Sequence, residues 1–229
     1  MTEGRLGPVD AGTLALVTRM VGAIRTSPPD TVELLVLPAG DFVADGILRE
    51  TVVRLVASEL SGTLLAETRV DRRCQRCGHP RHGRPEVVPR VFTFSWSTTT
   101  TVNMLALTVS GVPIGLDVEW SGRDESAAEI LMEFATASES ASVMDAADAL
   151  TLWTRKEAVL KADGTGLAVD LPHTEVGLTR TAVRLSAFLT APSWSLSSID
   201  PGVPDLVACL AVPADRAMRL RRWVHPAVG

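Results

Sequence analysis

The sequence predicts an α+β protein made of two lobes, each a small, mostly antiparallel sheet with a packed helix. The mostly apolar segment VELLVL at residues 32–37 is typical of a buried strand, and residues 44–60 carry apolar side chains at helical spacing. Strand patterns follow at residues 91–95, 102–109 and 114–120. The order of strand, helix and several strands occurs again further along the chain, which favours two lobes.

The second half of the chain adds helices and a C-terminal sheet. Residues 124–136 and about 143–162 are predicted helices, and Asp163-Gly164 ends the second. Four strand patterns, which we expect to share the C-terminal sheet, lie at residues 183–189, 193–198, 206–212 and 218–224. We predict an N-terminal lobe at residues 1–110, with a first helix near residues 11–24, and a C-terminal lobe at residues 111–229. The ligand is expected in the cleft between them.

Composition limits the classes of function. The net charge of −5 argues against non-specific binding of nucleic acid, which needs a basic surface. No apolar run approaches the roughly 20 residues of a membrane helix, and the N-terminus has no signal-peptide pattern. Three cysteines do not make a disulfide framework. A cytoplasmic monomer that binds neither nucleic acid nor membrane is therefore expected.

Charge is unevenly distributed along the chain. Residues 69–90 contain seven arginines against Asp71 and Glu86, a local charge of +5 that leaves −10 for the remainder. This segment is either an anion site or a solvated basic loop.

Two acidic residues alternate with apolar ones in the segment IGLDVEW. Strand geometry puts Asp117 and Glu119 on one face, about 6.6 Å apart along the backbone, with the apolar residues Leu116, Val118 and Trp120 on the other. Two carboxylates on one face suit a hard cation such as Mg²⁺. An edge strand with a solvated acidic face is the open alternative.

A second polar group lies in the segment WTRKEAVLKADGTGL. Helical spacing puts Trp153, Glu157 and Lys161 on one face, where Glu157 and Lys161 are ordered for an ion pair. The chain has 22 basic residues but only two lysines, Lys156 and Lys161, both in this segment. A lysine presents a compact, titratable charge to a phosphate, which a guanidinium does not. Glu157 adds a third carboxylate to Asp117 and Glu119, although a surface ion pair would give the same pattern.

These two motifs resemble those of the surfactin-type (Sfp-like) 4′-phosphopantetheinyl transferases. The pattern G-x-D-x-E, followed by W-x-x-K-E-A-x-x-K-x-x-G-x-G-L, carries the resemblance, which extends from about residue 94 to residue 167. It implies two lobes related by a pseudo-twofold axis, with coenzyme A in the cleft and Mg²⁺ on Asp117, Glu119 and Glu157. The implied reaction moves phosphopantetheine onto a serine of an apo acyl or peptidyl carrier protein and releases 3′,5′-ADP.

The resemblance also suggests roles for individual residues. Glu157 is the candidate base, because the other two acids are more fully committed to the ion, and Lys161 is the candidate for stabilising the leaving group. The family's G-[KR]-P segment matches Gly83-Arg84-Pro85, which gives the basic segment a 3′-phosphate to bind. The implied coenzyme A contacts are Arg84, Pro85, Ser97, Thr98, Asp117, Lys156 and Lys161.

One position departs from the family pattern. Thr98 stands where the family has a histidine that contacts a coenzyme A phosphate, so a charge-assisted bond worth about 1–2 kcal/mol is absent. The alternatives are a degenerate, non-catalytic module that binds carrier proteins, or another Mg²⁺-dependent phosphoryl or nucleotidyl transferase.

A separate cluster of four zinc-type ligands is too compact for the usual structural zinc site, so a surface loop is favoured there. Its members are Cys74, Cys77, His79 and His82.

Overall fold

The computed structural model describes residues 8–40, 42–74, 77–80, 83–122, 129, 132–165, 174–179, 182–183 and 193–228. Their helices and strands form a mixed α+β protein, which confirms the predicted fold class. The chain divides into two compact units. Unit 1 contains Met1–Val112 and Met218–Gly229, and unit 2 contains Pro113–Ala217. Within these described ranges, no helix is long and apolar enough to cross a bilayer.

Unit 1 is a four-stranded sheet with two helices. The helices are α1 (Ala11–Ile24) and α2 (Phe42–Ser61). The sheet contains β1 (Thr31–Pro38), β4 (Thr93–Thr98), β5 (Val102–Thr108) and β10 (Arg219–Val224), in the order β10-β1-β5-β4. A separate antiparallel pair is formed by β2 (Arg69–Asp71) and β3 (Glu86–Val88).

The apolar patterns explain how unit 1 is built. The mostly apolar strand β1 is buried along almost its whole length, as its sequence predicts. Asp10 caps α1 by accepting a hydrogen bond from Thr13 N at 3.0 Å. The apolar faces of both helices pack with the sheet into one core that includes Leu16, Met20, Leu35, Val53, Val56 and Leu107.

The last strand does not join the C-terminal sheet as predicted. β10 instead pairs with β1, in parallel. The reason is a carboxylate of β1 that is 1% exposed, Glu33, which accepts hydrogen bonds from Arg221 Nε at 2.9 Å and Trp223 Nε1 at 2.7 Å. A buried charge needs such partners. Periodicity predicted the strand but carried no information about its neighbour.

Unit 2 is a four-stranded antiparallel sheet with a long helix. Its strands are β6 (Gly115–Trp120), β7 (Ala182–Val183), β8 (Trp194–Ile199) and β9 (Leu206–Pro213), in the order β6-β9-β8-β7. Its helices are α3 (Ala137–Ser140) and α4 (Ala146–Asp163). Asp145 caps α4, and Gly164 ends it with φ 78°. The predicted helix at residues 124–136 and the predicted strand at residues 183–189 fall largely outside the described residues.

Candidate active site

The candidate site lies where α4 crosses β6 inside unit 2. Side chains on one face of a strand recur every second residue, and side chains on one face of a helix recur every third or fourth. The strand face that carries Gly115, Asp117 and Glu119 contacts the helix face that carries Trp153 and Lys161. Trp153, near the middle of α4, contacts Glu119, near the end of β6, whereas Lys161, further along α4, contacts the earlier Asp117. The helix and the strand therefore run in opposite directions.

Gly115 permits the close approach of these two elements. A Cβ atom at this position would overlap the carbonyl oxygen of Ala158 and come within 2.5 Å of Ala162 N. Both contacts are with the backbone of α4, which cannot rotate away as a side chain can. The glycine of G-x-D-x-E therefore sets the distance between the strand that carries the acids and the helix that carries the lysine.

Lys161 and Asp117 form an ion pair. Lys161 Nζ donates to Asp117 Oδ1 at 2.6 Å. The Asp117 side chain is only 4% exposed, whereas that of Lys161 is 29% exposed. The carboxylate is therefore held inside unit 2, and its ammonium partner remains reachable from solvent.

Glu119 is held by the tryptophan of the helix motif. Trp153 Nε1 donates to Glu119 Oε1 at 3.0 Å, and the Trp153 ring lies 5.0 Å from that of Phe134. The sequence predicted that Trp153 shares a face with Glu157 and Lys161, but not that it is the donor that orients Glu119. Trp120, which was predicted on the apolar face opposite the two acids, is 47% exposed at the end of its strand.

Glu157 is the acid whose ionisation is most perturbed. Burial, followed by repulsion from Asp117, raises its pKa to about 7, against the opposing effect of Lys161. Its Oε1 atom is buried and has no hydrogen-bond partner within the described structure. A carboxyl with this pKa is poised to exchange a proton near neutral pH.

The donor set is compatible with a hard cation. Asp117 and Glu157 repel each other strongly enough to affect the pKa of Glu157, and the buried Oε1 of Glu157 lacks a partner. Mg²⁺ takes one or two carboxylates and completes its shell with waters and substrate phosphates. As the side chains stand, no three acidic, histidine or cysteine residues in the described part of the chain are arranged as a metal cluster. Glu119 is turned towards Trp153 instead.

Lys156 has different surroundings from Lys161. Its side chain is 1% exposed and forms a 2.8 Å ion pair with Glu139, and its ammonium also donates to the Thr174 carbonyl. Glu139 in turn accepts from the backbone N–H of Thr136, Val176 and Gly177. A side chain without accessible surface cannot meet a ligand from solvent. We therefore assign Lys156 a structural role rather than the coenzyme A contact that the sequence suggested.

The other predicted ligand contacts lie in unit 1. Arg84 is partly exposed and stands 3.8 Å from Glu86, next to the half-buried Pro85. Ser97 is buried near the end of β4. The adjacent Thr98 hydroxyl donates to Asn103 Oδ1 at 2.8 Å, so this oxygen is already committed within the unit.

Sequence reasoning missed an aromatic group beside these residues. The guanidinium groups of Arg49 and Arg72 lie 5.5 Å and 5.0 Å from the ring of Trp96. Arg49 also donates to Asn103 Oδ1 at 3.1 Å, which links the ring to Thr98. Only the excess of arginine in residues 69–90 pointed to this area, since Arg49 is distant in the sequence.

The compact zinc-type cluster is only partly within the described residues. Cys74 is half-buried and Cys77 is exposed, whereas His82 lies outside the described residues. The described members do not form a metal cluster with any other described side chain.

Part of the chain is similar to a known protein family. The family model of the 4′-phosphopantetheinyl transferase superfamily (ACPS) matches residues 113–211. The matched residues include β6 and α4 and therefore all of the paired residues described above for unit 2. The match covers less than half of the chain and shows that this part of unit 2 is similar to the superfamily. No curated protein matches the chain at a significant level.

Proposed function

We propose that this protein is an Sfp-like 4′-phosphopantetheinyl transferase that acts on the serine of an acyl or peptidyl carrier protein. The observation that carries the proposal is the pairing of Lys161 with Asp117 beside Glu157, an acid whose pKa is about 7. These residues lie within the matched range, 113–211. The coenzyme supplies the phosphopantetheine, and 3′,5′-ADP is the second product.

Asp117, Glu119 and Glu157 would hold Mg²⁺. The ion would neutralise the charge of the coenzyme A pyrophosphate. Asp117 and Glu157 support this assignment through their mutual repulsion, which a cation relieves. Glu119 would join the set if it gave up its hydrogen bond from Trp153 Nε1.

Glu157 takes the proton from the attacking serine. The serine oxygen forms a bond to the β-phosphorus of coenzyme A, and the bond from that phosphorus to the oxygen of the 3′,5′-ADP portion breaks. Glu157 is the best candidate base because Asp117 and Glu119 are more fully committed to the ion, and because its Oε1 is buried without a hydrogen-bond partner in the described structure.

Lys161 stabilises the charge that grows on the departing 3′,5′-ADP. Its ammonium is already held by Asp117, so little ordering of the side chain is needed when the substrate binds. Only a contact that strengthens in the transition state accelerates the step, so Lys161 must gain interaction as the bond breaks. A compact ammonium can also donate a proton to the leaving oxygen.

The adenosine 3′-phosphate is bound by the basic segment of unit 1. Arg84 provides the positive charge that attracts the phosphate, and Pro85 and Ser97 line the site that the phosphate occupies. A doubly charged phosphate accounts for the clustering of seven arginines in residues 69–90. Thr98 contributes indirectly, because its hydroxyl donates to Asn103 Oδ1.

One observation favours a second candidate, a non-catalytic module that binds carrier proteins. The Thr98 hydroxyl is engaged by Asn103, and no histidine stands in its place, so contact with the coenzyme is weaker there. Release of 3′,5′-ADP from coenzyme A separates the two candidates. A transferase releases it only when Mg²⁺ and an apo carrier protein are both present, whereas a module releases none under any condition. A different Mg²⁺-dependent transferase would show turnover that does not require the carrier protein.

A further inference from the structure

A turn in unit 1 that carries two cysteines takes no part in the proposed transfer. The carbonyl of Cys74 accepts from the N–H of Gly78 at 2.8 Å, and the N–H of Cys74 donates to the carbonyl of His79 at 2.8 Å. Gly78 has φ +74°, a left-handed backbone that glycine adopts without strain. These contacts hold the backbone of Cys74 against that of Gly78 and His79, next to Cys77.

The two cysteines stand three residues apart at this turn. In a helical turn, Cβ atoms three residues apart are about 5–6 Å from each other. A disulfide requires a Cβ separation of about 3.5–4.5 Å. A disulfide between Cys74 and Cys77 therefore requires the turn to tighten by about one to two ångströms.

The third cysteine is a natural internal control. Cys209 lies on β9 with 2% exposure, and burial raises the pKa of its thiol to about 12. The thiolate is the reactive form of cysteine, so Cys209 is inert in the folded protein. Cys77 is exposed and Cys74 is half-buried, so a dissolved reagent reaches the turn first.

The cysteine turn is in direct contact with the segment that contains Arg84. Gly83 N donates to the Arg72 carbonyl at 2.8 Å. A Cβ atom on Gly83 would overlap the Arg73 carbonyl and lie 2.7 Å from Cys74 N. The backbone at residue 83 is thus packed against the first cysteine without room for a side chain. A movement of Cys74 must displace Gly83, and Arg84 is the next residue.

We propose that Cys74 and Cys77 form a redox-active dithiol, and that its oxidation to an intramolecular disulfide changes anion binding at Arg84. The oxidant is a low-molecular-weight disulfide such as oxidised glutathione. The Cys77 thiolate attacks one sulfur of the oxidant and releases one thiolate. The Cys74 thiolate then attacks the Cys77 sulfur of the mixed disulfide and releases the second thiolate. The protein loses two electrons and two protons, and the oxidant gains them.

The dithiol is tested on the full chain by intact mass and peptide mapping after incubation with oxidised glutathione. Wild type is expected to lose two hydrogens and to yield a Cys74–Cys77 crosslink, and Cys209→Ser behaves in the same way. Cys74→Ser is expected to keep a glutathione adduct on Cys77, because no thiol remains to displace it. Thiols that stay reduced, stable adducts on the wild type, or bound zinc that prevents oxidation would each overturn the dithiol.

The link to Arg84 rests on the proposed function and has its own test. Coenzyme A and dephospho-coenzyme A are titrated into the reduced and the oxidised protein. Oxidation is expected to weaken coenzyme A binding about fivefold and to leave dephospho-coenzyme A unaffected. Unchanged coenzyme A affinity in protein that carries the disulfide overturns the link. Equal affinities for the two ligands in the reduced protein would instead show that the 3′-phosphate assignment fails, and the mass experiment would still stand.

Discussion

Lys161 on α4 donates to the buried carboxylate of Asp117 on β6, which joins two motifs 44 residues apart in the chain. The contact depends on the close packing of α4 on Gly115, and it puts a positive charge beside Glu157. Gly115 thus sets the spacing between strand and helix. The charges of the site come from Lys161, Asp117 and Glu157.

Lys161→Arg tests whether a compact ammonium is required. The substitution keeps the charge but replaces a small, titratable group with a planar guanidinium. We expect kcat to fall at least ~10-fold, about 1.4 kcal/mol, with coenzyme A binding less affected. Steady-state kinetics with a carrier protein measure both. Arg216→Lys, an exchange at an exposed position of unit 2, should leave kcat unchanged. If Lys161→Arg turns over at the wild-type rate, Lys161 supplies only a positive charge and a compact ammonium is not required.

Glu157→Gln tests the perturbed carboxyl through stability. Glu157 has a pKa of about 7 in the folded protein and 4.5 as its ordinary value, so it favours the folded state while protonated. This contribution is complete below pH 4.5 and is lost as the pH rises to about 7.

We therefore expect Glu157→Gln to be more stable than wild type by about 1–3 kcal/mol at pH 8 in EDTA, with much less difference near pH 5. Urea unfolding at the two pH values gives the comparison. Added Mg²⁺ should stabilise wild type more than the variant, because binding to the folded state shifts the equilibrium. The same pH dependence in both proteins would contradict the assigned pKa.

Gly115→Ala tests the spacing between strand and helix. The new methyl group must displace the α4 backbone, since it would overlap the Ala158 carbonyl. We expect the free energy of unfolding to fall by about 1–3 kcal/mol. We also expect a lower kcat, because Lys161 moves relative to Asp117. Gly22→Ala is the matched control, because its new Cβ meets nothing within 4 Å inside α1. That exchange should be neutral or stabilise the protein by about 0.5–1 kcal/mol. Equal effects at both glycines would refute the spacing role.

Lys156→Met separates a structural lysine from a ligand contact. Loss of the ammonium leaves the Glu139 carboxylate buried without its ion-pair partner, at a cost of about 3–5 kcal/mol. The double variant Lys156→Met/Glu139→Gln should recover part of this loss, because no buried charge remains. Urea unfolding measures both. If Lys156 were a coenzyme A contact, the single variant would keep its stability and lose coenzyme A affinity.

Arg84→Ala tests the 3′-phosphate site. Wild type should bind coenzyme A more tightly than dephospho-coenzyme A, and raising the salt concentration should narrow the gap through screening. Arg84→Ala should reduce the gap even at low salt. Arg19→Ala is a suitable control, because Arg19 is exposed on α1 and lies outside the basic segment. Calorimetric titration provides the affinities. Equal binding of the two ligands by wild type at low salt would rule the assignment out.

Local pattern was enough to predict most elements of the fold. The apolar run of β1 and the helical spacing of α2 each arise within one segment, so sequence alone reveals them. The neighbour of β10 could not be predicted in this way. Its position beside β1 depends on the burial of Glu33 and its contacts with Arg221 and Trp223, which are distant in the chain.

The same distinction applies to the site. The face shared by Trp153, Glu157 and Lys161 follows from helix geometry. Which strand residue each one meets depends on the packing of α4 on β6, which the sequence does not encode locally. Lys161 was expected to pair with Glu157 but donates to Asp117, and Trp153 donates to Glu119. The burial of Lys156 likewise depends on Glu139, which lies outside the motif.

The most direct test of the proposed function is the intact mass of an apo carrier protein after incubation with this protein, coenzyme A and Mg²⁺. We predict that the carrier gains the mass of one phosphopantetheine on its serine, and that EDTA prevents the gain. Asp117→Asn, checked by circular dichroism to be folded, should give none. A carrier that stays in its apo form with the wild-type protein, while an established transferase modifies it in parallel, would contradict the account.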